Sequence, residues 1–274
     1  PGAMLRSRTG GLKQSQPSMS ESAPPVPESH SLSARLSHPC FPQPRDANVK
    51  VWRYMDLAKL ISLLQLRTLY LAPLDRLADP YEGSTTQPTA AGIDAFFKDV
   101  GSTNGYEELS GFYRKSREST FVSCWHANEH ESEAMWRLYG GLSGGVAVQT
   151  TYAKLVKSIE PAGEVYVGLV RYIDYATASF PDANAFYPVM HKRASFAHER
   201  EVRLVWYWGS PPEPDRPPPN LSIPWDIEAF AEQIYVDPYA PGYYFEAVKA
   251  VLSSMAPALV ARLAWSKMKA APFF

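Results

Sequence analysis

Two carboxylates one residue apart, Glu199 and Glu201, stand in the run His198-Glu199-Arg200-Glu201-Val202-Arg203-Leu204-Val205. Successive side chains of a strand alternate faces, so Glu199, Glu201 and Arg203 would share one face and leave Val202 and Leu204 to the core. Like charges side by side on a strand repel. The pair is therefore a solvated edge, a salt-bridge tether, or a site built to hold positive charge. A fixed carboxylate can stabilise a developing cation, and paired acids can hold Mg²⁺ or Mn²⁺. A helical pattern over residues 185–198 puts Lys192, Phe196 and Glu199 at i, i+4 and i+7. Lys192 can then pair with one acid while Arg203 neutralises another.

A second cluster is Thr120-Phe121-Val122-Ser123-Cys124-Trp125-His126. Alternation places Phe121, Ser123 and Trp125 on one face and Val122, Cys124 and His126 on the other. Cys124 and His126 on a shared face suit a thiolate–imidazole pair, although a cysteine in an apolar strand is commonly inert core. Ser123 can hydrogen-bond a ligand or satisfy nearby backbone. His126, Glu129 and His130 match the H-x-x-E-H pattern of inverted zinc peptidases, which needs both histidines on one helical turn. Here the segment follows a strand directly, and the next helix starts at Ser132 with Glu133 in its first turn. The histidine run therefore reads as an exposed loop, and no metal site is expected. Asp79-Pro80-Tyr81-Glu82-Gly83 has tight-turn chemistry with two acids that can reach a cleft. Trp136 and Tyr139 lie one helical turn apart, as core or as a ligand platform, before glycines at 140, 141, 144 and 145.

These candidates need a scaffold, and 274 residues with 45% hydrophobic and 13% aromatic content supply one. Net charge of −1 and pI near 6.7 exclude a broad electrostatic footprint for nucleic acid or anionic membrane. Two cysteines make no disulfide framework and fit a reducing, cytoplasmic compartment, and no apolar run reaches the length of a membrane span. Residues 1–46, rich in Pro, Ser and Gln, read as a disordered tail, with Pro1-Gly2-Ala3-Met4 as a cloning scar. Residues 47–274 read as one α+β domain: a mixed, mostly antiparallel sheet, in one form split, with flanking helices. Strand patterns recur at 49–55, 68–72, 120–125, 145–150, 165–173, 202–208 and 233–236. Helical ones fall at 57–66, 93–115, 132–139, 152–159, 185–198 and 244–254, with Asp56 as the N-cap of the first. A proline-rich loop over 210–219 separates two late strands. No glycine-rich phosphate loop follows the first strand, which argues against a doubly wound nucleotide fold.

Taken as a set, Arg53-Tyr54, Asp79-Pro80-Tyr81-Glu82, Ser123-Cys124-Trp125, Met135-Trp136 with Tyr139-Gly140, and Lys192 with Glu199, Glu201 and Arg203 resemble a bacterial family defined as domain of unknown function twenty-nine seventy-one. Ile234-Tyr235-Val236-Asp237-Pro238 and Ser266 are also similar, so the resemblance covers most of residues 48–274. A second resemblance carries an activity. Arginine on a first strand, serine on a middle strand and E-x-E on a late strand are similar to the R-S-E layout of mono-ADP-ribosyltransferases. It implies that Arg53 holds the phosphate of NAD, which is consumed as a substrate, and that Ser123 orients the nicotinamide ribose. Glu201 would stabilise the cation that forms as nicotinamide leaves, and Glu199 would position the acceptor. Tyr54, Trp125, Trp136 and Tyr139 would offer stacking surface. Here Ser119-Thr120 and Ser123 divide a usually contiguous S-T-S, and no glycine follows Arg53. The expected function is an NAD-dependent transferase, as a bacterial effector or defence toxin, acting on a macromolecular or small-molecule acceptor. Two alternatives stand beside it: a metal-dependent hydrolase or nuclease using Asp79, Glu82, Glu199 and Glu201, and a non-catalytic module whose acidic cleft binds a cationic partner.

Overall fold

The computed structural model describes residues 31–272 apart from residues 103, 142, 143, 163, 183 and 208–220. The cloning scar, the first part of the expected tail and the proline-rich loop lie outside the described residues. The strands are β1 Lys50–Met55, β2 Thr68–Pro73, β3 Thr120–Ala127, β4 Val146–Thr151, β5 Val165–Leu169, β6 Arg171–Ile173, β7 His191–Arg193, β8 Glu201–Tyr207, β9 Leu221–Pro224, β10 Gln233–Val236 and β11 Leu263–Trp265. The helices are α1 Leu32–Leu36, α2 Leu57–Leu66, α3 Gln87–Asp99, α4 Gly105–Glu118, α5 Glu133–Tyr139, α6 Tyr152–Ile159, α7 Phe186–Val189, α8 Ile227–Phe230 and α9 Gly242–Met255.

Apolar alternation fixes which face of each strand is buried. In β1, Val51 and Met55 join the main core with Leu60, Leu63 and Leu64 of α2, while Trp52 and Tyr54 point the other way into an aromatic cluster with Trp136 and Tyr235. In β3, Phe121 and Trp125 enter the main core and Val122 a second one. Asp56 caps α2 by accepting from the Lys59 N–H at 2.8 Å. The result is a single α+β domain. Its sheet is antiparallel except that β10 pairs β11 parallel, with β6 and β7 forming a separate parallel pair.

The sheet forks at β3. One edge of β3 is filled by β8, from Thr120 opposite Tyr207 to His126 opposite Glu201. The other edge is divided: β1 pairs only with Ala127 and His126, and β2 only with Val122 and Phe121. Among the described residues, 123–125 have no strand partner on that side. Asn128 donates to Lys50 on the β1 side, whereas Ala127 donates to Arg200 on the β8 side. By this alternation Cys124 turns its main-chain N–H and C=O into the fork.

Three sequence expectations change. Residues 31–46 are packed on the domain rather than loose. Leu32 and Leu36 lie against the main core, Phe41 is buried in the second, and Arg35 donates to the Val165 carbonyl at 2.6 Å. A few apolar anchors are enough where they land on preformed surface, and a Cβ on Gly168 would meet the Phe41 backbone at 2.8 Å. The helix expected over 93–115 is two helices, α3 and α4. The one expected over 185–198 is α7, β7 and the 3-10 turn Ala194–Glu199, because β6 offers residues 191–193 a strand partner. Among the described residues no helix is long and apolar enough to cross a membrane.

Candidate functional site

A cavity of about 610 Å³ occupies the fork, a size within the roughly 300–1,000 Å³ of ligand pockets. Its wall draws on both faces of the sheet, with Leu63 and Leu66 of α2 on one side and Asp79, Glu82 and Phe196 on the other. Arg53, Tyr54, Ser123, Trp125, Tyr139, Glu199 and Glu201 all line it. Trp136 does not belong to that wall: it is 1% exposed, packed edge-on to Tyr54 in the aromatic cluster. It serves as core rather than as a stacking platform.

Arg53 bridges the fork. Its guanidinium donates to Ser123 Oγ and, at 3.2 Å, to the Tyr70 carbonyl of β2, and lies 5.8 Å from the Trp125 ring centroid. Burial lowers its pKa to about 10, which still leaves it cationic at neutral pH. Arg53, Ser123 and Trp125 share one face of the sheet. Cys124, His126 and Glu201 share the other, as the pairing of His126 with Glu201 requires. The three residues of the R-S-E order thus meet at one cavity from opposite faces of β3.

The carboxylate wall is an ion network. Arg203, fully buried, donates through Nε to Glu201 Oε1 at 2.6 Å and through Nη2 to Oε2 at 3.0 Å, and its Nη1 lies 2.9 Å from Glu82. Lys192 Nζ sits 2.6 Å from Glu199, 2.9 Å from Glu82 and 3.8 Å from Glu201. Tyr139 donates its hydroxyl to Glu199 Oε1 at 3.0 Å. Three carboxylates thus face two cations, leaving a buried excess of one negative charge. Glu199 ends the turn before β8 and Arg200 between the glutamates is left-handed (φ 42°), so the two acids are not neighbours on one strand face, yet both reach Lys192. The network spans the turn at Glu82, β7 and β8. Sequence reasoning anticipated the Lys192 and Arg203 pairings and a cleft position for Glu82, but not that Glu82 is the third acid held by both cations. Asp79 is held by Arg193 at 2.9 Å beside it.

Burial alone would raise the Glu201 pKa, but Arg203 and then Lys192 more than offset this and hold it below the usual carboxylate range. Burial would likewise lower Lys192, which its three glutamate neighbours raise instead. Cys124 is accessible to solvent and lines the cavity. The surrounding protein and the Glu201 carboxylate, which its thiol hydrogen-bonds, push its pKa well up, so it is no thiolate nucleophile at neutral pH. His126 and His191 are lowered, chiefly by burial. Of the H-x-x-E-H residues His126 is buried, whereas Glu129 and His130 are exposed in the following loop. Among the described residues no group of three or more His, Cys, Asp or Glu is placed to hold a metal ion.

These shifts set the acid response. A lowered folded-state pKa means that the unfolded chain binds protons first, so the stabilisation is lost on acidification. Neutral His126 and His191 contribute fully above about pH 6.5 and less below it, and the Glu201 contribution follows below about pH 4.3. Melting curves should show Tm falling in two stages across these ranges. A flat Tm down to about pH 5 would mean that the imidazoles are solvated.

No family model, no curated protein and no solved structure matches the chain.

Proposed function

We propose that the forked cavity binds NAD and that the protein is a mono-ADP-ribosyltransferase of the R-S-E type. The observation that carries this reading is the fork itself, which opens one cavity to Arg53, Ser123 and Glu201 from three strands. NAD supplies a diphosphate and a ribosyl carbon bearing a cationic leaving group. Arg53 matches the first, since a guanidinium presents several donors to phosphate oxygens; Ser123 accepts from it on the same face of β3 and so positions the guanidinium rather than the nicotinamide ribose that the resemblance implied. Glu201 matches the second. Ionised and held by two hydrogen bonds from Arg203, it offers a fixed negative charge where positive charge develops, with no reorganisation needed. Glu199, tied to Tyr139 and Lys192, lies on the acceptor side. Because Arg53 and Glu201 stand on opposite faces of β3, the ligand spans the fork, its anionic part by Arg53 and its cationic part by the carboxylates. A metal-dependent hydrolase fits less well, because Lys192 and Arg203 take the positions beside the acids that a metal ion would need.

Incubating the protein with labelled NAD and a cell lysate should release nicotinamide and leave label on an acceptor, and NAD should raise the melting temperature. Absence of both nicotinamide release and a thermal shift would overturn the reading. Activity that instead required added Mn²⁺ or Zn²⁺ would favour the hydrolase.

A further inference from the structure

His126 is 2% exposed and lies on the cavity wall. Its Nδ1 is 2.6 Å from the Glu199 carbonyl. A carbonyl only accepts, so Nδ1 carries the proton and Nε2 is left as a bare acceptor. That Nε2 is buried with no hydrogen-bond partner among the described residues. Leaving a buried acceptor unmatched is costly, and in a residue that lines a ligand-sized cavity it points to a donor that arrives with the ligand. The neighbouring carboxylates are already paired with cations: Arg203 takes both Glu201 oxygens, Lys192 and Tyr139 take those of Glu199, and Glu82 lies against Lys192 and Arg203. Position names the donor. His126 is the direct cross-strand partner of Glu201, so a sugar ring held against Glu201 lies against the imidazole as well.

We infer that His126 Nε2 accepts a hydrogen bond from a hydroxyl of the nicotinamide ribose, so that the site selects for a hydroxylated sugar on that side of β3. The inference rests on the transferase reading above. Burial also lowers the imidazole pKa, which keeps Nε2 unprotonated at neutral pH.

Two measurements test it. In wild-type protein with labelled histidine, NAD binding should move the Nε2 nitrogen resonance in the direction expected for a new hydrogen bond. A bound complex in which that resonance stays put overturns the inference and leaves the transferase reading intact. Absence of any NAD binding overturns both. The second measurement uses NAD and two analogues, each lacking one hydroxyl of the nicotinamide ribose. Wild-type protein should bind one analogue on the order of tenfold more weakly than NAD. His126→Phe should bind NAD that weakly and no longer distinguish the analogue. A His126→Phe protein that keeps the wild-type preference overturns the assignment.

Discussion

Arg203→Met is expected to cost about 3–5 kcal/mol of folding stability, the range for removing one partner of a buried ion pair. Methionine fills much of the volume, so the loss is electrostatic. Glu201 and Glu82 would share Lys192 alone, and the buried excess would rise from one negative charge to two. The Val189 carbonyl would also lose the donor now 2.6 Å away. Since typical domains hold only about 5–15 kcal/mol in total, the denaturant midpoint should drop by about a fifth or more. A loss under about 1 kcal/mol would show that water reaches the network and solvates the freed acids. Replacing Arg203 and Glu201 together with apolar residues should recover part of the loss, because it removes charge of both signs.

Glu201→Gln should lower NAD turnover by about 10²–10³-fold, the usual effect of deleting one preorganised electrostatic contact. The substitution keeps the shape and removes the charge. It also sets an amide NH₂ or a weaker acceptor against Arg203 Nε and Nη2, so some stability is lost as well. Turnover must therefore be measured per folded molecule. If the variant melts earlier yet turns over NAD at the wild-type rate per folded molecule, Glu201 is a structural tether and not the charge that steadies the reaction. Glu199→Gln serves as the comparison: it should impair transfer to the acceptor more than release of nicotinamide, because its oxygens answer to Tyr139 and Lys192.

Much of this site is local in sequence. Alternation correctly divided β3 into a face with Ser123 and Trp125 and a face with Cys124 and His126, and it paired Arg203 with Glu201. What escaped depends on long-range geometry. The spacing of Lys192, Phe196 and Glu199 fits a helix, yet β6 recruits residues 191–193 as a strand, and the same Lys192–Glu199 contact forms by another route. Glu82 joins the network only because its turn folds back on β7 and β8, a placement that turn chemistry does not encode. The fork was equally hidden. It arises from how far β1 and β2 each travel along β3, and strand propensity says nothing about where pairing stops. The packing of residues 31–46 depends on surface built by β5, more than a hundred residues later in the chain.

Cys124 gives the protein a built-in reporter. The chain has two cysteines, and Cys40 is sealed in the second core while Cys124 opens into the cavity. A small alkylating reagent therefore has a single address. Its attack is slow at neutral pH, because Glu201 and the surrounding protein keep the thiol protonated. Any molecule that fills the fork must pass or cover that sulfur. Protection from alkylation thus reads occupancy directly, with no introduced label, and does so for any ligand, whatever reaction follows.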